Sequence, residues 1–211
     1  MNRPPQSETL LIDGPAGRLE CILESPGNVT SIASAVVCHP HPVHGGTMQN
    51  KVVHTLARAF SAQQMSTLRF NFRGVGESEG EFDDGEGELE DVLAAADFLS
   101  ARFPGLPIWL AGFSFGAALA IRAAVKLDAA GLVSIASAAF RFADTEPVQP
   151  TCPWLIVHGE EDELADINET IEWVNSMEPG PELCVFPDTT HFFHGKLVKL
   201  REVVKSFVDK N

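Results

Sequence analysis

The sequence predicts an α/β protein built on a mostly parallel sheet with helices on both faces. Three observations carry this: short apolar runs alternate with helical patterns along most of the chain, Ala35–Cys38 is a β-branched run, and a turn-centred pair of runs opens the sequence. Strands buried on both faces read as continuous apolar stretches, and parallel neighbours need crossover helices between them.

Leu10–Ile12 and Leu19–Leu23 flank Asp13-Gly14-Pro15-Ala16-Gly17 and predict an N-terminal hairpin. Ala35–Cys38 predicts a buried strand, followed by a His/Pro/Gly loop, and Lys51–Ser61 places Val52, Leu56, Ala59 and Phe60 at helical spacing. Leu68–Phe72 is the next strand. Leu89–Leu99 is an amphipathic helix, and the preceding Glu79–Asp91 stretch is expected to be a solvated acidic loop running into its N-terminus. Ile108–Phe113 predicts a strand and Ala117–Leu127 a helix. Leu132–Ala136 and Trp154–Val157 are strands 17 residues apart. Ile167–Met177 is helical, Leu183–Phe186 extended, and Leu197–Val208 closes the chain as a helix.

Length and composition limit what such a fold does. At 211 residues the expectation is one domain spanning 1–211. A net charge of −14 opposes binding to phosphate backbones and anionic lipid, so nucleic-acid and membrane partners are not expected. No run has the length of a membrane span, and the first residues lack an apolar signal-peptide core, so a cytoplasmic protein is expected. Cys21, Cys38, Cys152 and Cys184 lie far apart, which suits reduced thiols better than disulfides or a zinc framework.

The pattern G-x-S-x-G occurs twice. In Gly112-Phe113-Ser114-Phe115-Gly116 the serine ends a strand and precedes a helix, a sharp turn that exposes its hydroxyl at the tip of a sheet. In Gly76-Glu77-Ser78-Glu79-Gly80 the serine lies in a loop between two glutamates, which oppose an alkoxide. Ser114 is therefore the candidate nucleophile and Ser78 a loop residue. A hydroxyl needs a base, and the base needs an orienting acid. His191, after the last strand, is the candidate base ahead of His194, which is expected to begin the final helix, while His158 is read as a packed strand residue. Asp162, after the turn that ends Trp154–Val157, is the candidate acid, with Asp144 the alternative; Glu160, Glu161 and Asp166 are read as surface, and Asp188 stands too near His191. Two backbone N–H groups must face a developing oxyanion. Phe115 is one donor. In the loop His39-Pro40-His41-Pro42-Val43-His44 the prolines have no N–H, which leaves His41, then Val43.

These pieces together resemble the α/β-hydrolase superfamily, in its small bacterial branch without a lid domain. The resemblance rests on Val36-Val37-Cys38-His39-Pro40-His41, Arg69-Phe70-Asn71-Phe72-Arg73-Gly74-Val75-Gly76-Glu77-Ser78, the Ser114 elbow, His158-Gly159-Glu160-Glu161-Asp162 and His191-Phe192-Phe193, in the family's order. It implies an α/β-hydrolase fold without a cap, a structural role for Arg73–Ser78, and a Ser114–His191–Asp162 triad. The expected activity is hydrolysis of a small acyl ester or thioester through an acyl-enzyme. Neither cofactor nor metal is expected, and the chain is expected to be a monomer or homodimer. Where many members carry His-Gly at the oxyanion loop, this chain has His39-Pro40. Two other readings differ in class: a metal cluster at His39, His41 and His44, and a non-catalytic binding protein on a hydrolase scaffold. Phe140 and Phe142 are candidates to line an acyl pocket.

Overall fold

The computed structural model describes residues 6–27, 29–137 and 149–211. Its core is one eight-stranded sheet formed by β1 (Gln6–Gly14), β2 (Gly17–Ser25), β3 (Ala33–Cys38), β4 (Met65–Phe70), β5 (Ile108–Phe113), β6 (Gly131–Ile135), β7 (Trp154–Gly159) and β8 (Glu182–Phe186), in the order β1-β2-β4-β3-β5-β6-β7-β8. The β1–β2 and β2–β4 pairings are antiparallel and all the others parallel. The helices are α1 (Lys51–Ala62), α2 (Glu86–Arg102), α3 (Phe115–Leu127), α4 (Ile167–Asn175) and α5 (Leu197–Val208).

Strand alternation divides the core between two faces. Val36, Cys38, Leu110, Leu132 and Ile156 point to the side that α2 and α3 cover. Ala35, Val37, Trp109, Ala111, Phe113 and Val133 point to the side of α1 and α5. On the second face Trp109 meets Phe60 of α1 and Phe207 of α5 edge-on, each at 6.1 Å. Each such side chain, removed from water, contributes about 1.5–3 kcal/mol.

Several expectations need correction. β1 starts at Gln6, well before Leu10, and its register runs unbroken from Gln6↔Ser25 to Gly14↔Gly17. It is an edge strand whose first four residues are exposed, so the backbone ladder makes it and no apolar pattern announces it. β4 ends at Phe70. Beyond it the Phe72 N–H donates to Nε2 of His39 (3.0 Å) and not to a neighbouring strand. The final helix begins at Leu197, after His194.

The Glu79–Asp91 stretch is not uniformly solvated, because Glu88 and Asp91 are fully buried. Glu88 accepts the N–H groups of Asp83 (3.0 Å) and Gly85 (2.8 Å) and so caps α2. Asp91 takes Nε and a terminal nitrogen of the buried Arg73 (2.8–3.1 Å) together with the Arg73 N–H (3.0 Å). This pair ties the loop after β4 to α2. The four cysteines are free; Cys21 and Cys38 are buried, and Cys152 and Cys184 are half-buried. No described helix is long and apolar enough to cross a membrane.

Candidate active site

Ser114 stands between β5 and α3 with φ 55° and ψ −118°, a conformation that costs a non-glycine residue about 1–3 kcal/mol. The surroundings over-determine it. The Ser114 N–H donates to the Ile135 carbonyl (2.8 Å), and its own carbonyl accepts from Ala117 (2.9 Å) and Ala118 (3.2 Å). The flanking glycines are required for space. A Cβ on Gly112 would lie 2.2 Å from the Gly116 carbonyl oxygen, and one on Gly116 would lie 2.3 Å from that of His39. The elbow is thereby pressed against the end of β3.

The structure brings Ser114, His191 and Asp162 into one hydrogen-bonded line. The Ser114 hydroxyl donates to Nε2 of His191 at 3.1 Å. Nδ1 of His191 donates to the Asp162 carboxylate, 2.8 Å from Oδ2 and 3.0 Å from Oδ1. Asp162 Oδ1 also accepts the N–H groups of Leu164 (2.9 Å) and Ala165 (2.8 Å). Burial pushes the Asp162 carboxyl up. The His191 hydrogen bond, the His191 charge and the two amides outweigh it and hold the group below the usual carboxylate range. Its side chain is inaccessible and that of His191 nearly so. The imidazole rests on Phe113 (5.0 Å between centroids) and edge-on to Phe192 (5.2 Å).

Acid and base hang from adjacent strands, β7 and β8, and their loops are stitched together. The Glu160 N–H donates to Phe186, Glu161 to Thr189, and the His191 N–H to Oε2 of Glu163 (3.1 Å). The Glu163 bond is a supporting contact that the sequence reading missed, as nothing in the local pattern marks this glutamate. Glu160, Glu161 and Asp166 are exposed, and Asp166 caps α4 through the Asn168 N–H (2.7 Å). Asp188 is exposed as well. Asp144, Phe140 and Phe142 lie outside the described residues.

Ser78 is held as a structural residue. Its hydroxyl donates to the Asn71 carbonyl (2.7 Å) and accepts the Glu20 N–H (2.9 Å). His158 is packed, as expected of a strand residue, but it also stands 3.5 Å from Asp162. The sequence signal for that was the four-residue spacing across a glycine turn.

The side chains of the two expected oxyanion residues are neighbours, the His41 and Phe115 rings lying 4.8 Å apart at a 44° tilt. His41 makes no backbone N–H hydrogen bond among the described residues. The His39–His44 loop is braced by His39, whose Nδ1 donates to the Pro40 carbonyl (2.6 Å) while Nε2 accepts from Phe72. With both ring nitrogens engaged, His39 has no lone pair to offer a cation. Among the described residues no group of three His, Cys, Asp or Glu side chains is placed to hold a metal ion.

Residues 34–151 match the family model described as serine aminopeptidase, S33. The structure superposes on that of an α/β serine hydrolase homologue from Coxiella burnetii with a TM-score of 0.89 and 42% identity, covering 94% of this chain and 96% of the other. The chain belongs to the α/β serine hydrolases. A second relative of this α/β serine hydrolase, from Xanthomonas campestris, is described as a member without a lid. It matches at 41% identity and a TM-score of 0.91, over 100% of this chain and 97% of its own. An uncharacterized protein of Rickettsia prowazekii is 28% identical over 218 residues, covering 94% of this α/β serine hydrolase and 87% of the relative.

Proposed function

We propose that this protein hydrolyses small acyl esters or thioesters, with Ser114 as nucleophile, His191 as general base and acid, and Asp162 as the orienting carboxylate. The observation that carries the reading is the continuous relay from the Ser114 hydroxyl through both His191 nitrogens to both Asp162 oxygens.

In this reading Ser114 Oγ attacks the acyl carbonyl as its proton passes to Nε2 of His191. Asp162 stabilises the imidazolium and keeps Nδ1 protonated, so that Nε2 is the basic nitrogen. The oxyanion is met by the N–H groups of Phe115 and His41. Collapse breaks the bond to the alcohol or thiol, which leaves with the proton from His191. Water then attacks the acyl-enzyme with His191 again as base, releasing the carboxylic acid and restoring Ser114. Short, soluble acyl groups suit this site best, because only 18 residues (136–153) join β6 to β7, where many hydrolases of this fold carry a cap.

Two measurements test the assignment. A fluorophosphonate probe is expected to label the wild-type protein on Ser114. Ser114→Ala is expected to abolish both labelling and hydrolysis of p-nitrophenyl acetate with the fold retained, whereas Ser78→Ala keeps both. Near-normal turnover in Ser114→Ala would overturn the reading.

A further inference from the structure

The imidazole of His158 is fully buried at the end of β7, with β6 lying between it and the strand that carries the reacting serine. Its Nε2 lies 2.8 Å from the Ala165 carbonyl oxygen. A carbonyl only accepts, so Nε2 carries the proton. Nδ1 therefore presents a bare lone pair, buried with no partner among the described residues. An apolar side chain would fill this position without burying an unpaired acceptor, which ordinarily destabilises a fold. Burial, only partly offset by the Ala165 bond and the Asp162 charge, lowers the pKa and keeps the ring neutral near pH 7.

The geometry gives this ring a task. Ala165 is the residue whose N–H, with that of Leu164, grips Oδ1 of Asp162. The His158 bond to its carbonyl thus closes the loop 159–165 across its base. The same N–H passes 3.5 Å from Oδ2 of Asp162, the oxygen nearest His191. That separation is longer than a full hydrogen bond, yet it sets a positive N–H end beside the carboxylate. The other charged or titratable groups acting on the ring are His191 and Asp166.

We propose that His158 is a positioning residue: it clamps the acid loop so that Oδ1 is held by backbone amides and Oδ2 is aimed at His191. The inference rests on the triad reading above. It assigns His158 no contact with substrate, only the placing of Asp162 and, through it, of the His191 ring.

The test compares His158→Leu and His158→Gln in the full chain, using p-nitrophenyl acetate turnover and the rate of fluorophosphonate labelling. Displacing the acid by a fraction of an ångström to an ångström is expected to lower kcat about 10- to 100-fold with KM within about twofold. Glutamine, whose amide nitrogen reaches the place of Nε2, is expected to recover kcat to within about fivefold of wild type. The split between kcat and KM, together with recovery in the glutamine variant, separates positioning from simple loss of stability. Should the leucine variant fail to fold, His158→Asn, whose amide stops short of Ala165, is expected to show the same kcat loss with KM nearly unchanged. A leucine or asparagine variant matching wild type in kcat overturns the inference, as does a glutamine variant as impaired as either. Ser114→Ala measured alongside distinguishes the two failures. Retained turnover there removes the triad reading itself, whereas abolished turnover beside an unimpaired His158→Leu removes only the role of His158.

Discussion

His39 has both ring nitrogens committed, and a proton placed on Nε2 would confront the Phe72 N–H that this atom now accepts. Burial lowers its pKa to about 4, with the Pro40 hydrogen bond only partly opposing the shift. In the unfolded chain the same ring titrates near 6.5, so between these values the unfolded state binds a proton that the folded state refuses. Stability is therefore complete above roughly pH 6.5 and falls as the pH drops towards 4, by about 3 kcal/mol from this group. His41, His54 and His158 are displaced in the same direction, chiefly by burial, and add to the slope. Urea unfolding at stepped pH checks the point. His39→Gln, which cannot take up the proton, is expected to give a shallower decline than wild type between pH 6.5 and 4. Identical slopes would mean that the ring is not held neutral as described.

The strand–turn–helix of β5, Ser114 and α3 separates two demands that glycine meets. Gly112 and Gly116 do not have positive φ; they are needed because backbone carbonyls occupy the space of a Cβ. Gly105 is the opposite case, with φ +81° and nothing near a Cβ. Gly116→Ala is accordingly expected to lose about 3 kcal/mol by overpacking and, by shifting Phe115, to slow fluorophosphonate labelling. Gly105→Ala is expected to lose only about 1–2 kcal/mol of left-handed strain and to label normally. Denaturation midpoints and labelling rates decide this, and equal behaviour of the two variants would contradict it.

What the sequence disclosed at this scale follows the same physics. β3, β5, β6 and β7 were legible because both faces are buried, and the elbow was legible because its glycines and flanking periodicities coincide. Asp162 and His191 could be placed by their distance beyond β7 and β8. The polar half of β1 was not legible, since only its backbone is engaged. Nor was the burial of Glu88 and Asp91, because an acid paired with a distant arginine looks in sequence like any solvated acid. The approach of His158 to Asp162 was signalled only by their four-residue spacing, since no periodicity encodes the path of the turn between them.

For the molecule as a whole, the short β6–β7 connection bears on substrate size. A cap of two helices, about 11 residues each, does not fit in the 18 residues 136–153. The Xanthomonas campestris relative is described as without a lid. Without a cap, a long acyl chain has less apolar surface to sheath it. Among acetyl, butyryl, octanoyl and palmitoyl esters below micelle formation, kcat/KM is expected to peak at butyryl or shorter; a steady rise to palmitoyl would refute the short-chain preference. The sheet order carries one more consequence, concerning the making of the protein. Ser114 follows β5, in the middle of the sheet, whereas His191 stands 77 residues later, beyond the edge strand β8. During synthesis the residues of β3, α1, β5 and α3 are joined before residue 191 is added. On the proposed triad reading, a prematurely terminated chain that lacks residue 191 carries the serine without its base. On that reading, the C-terminal edge is what arms the nucleophile.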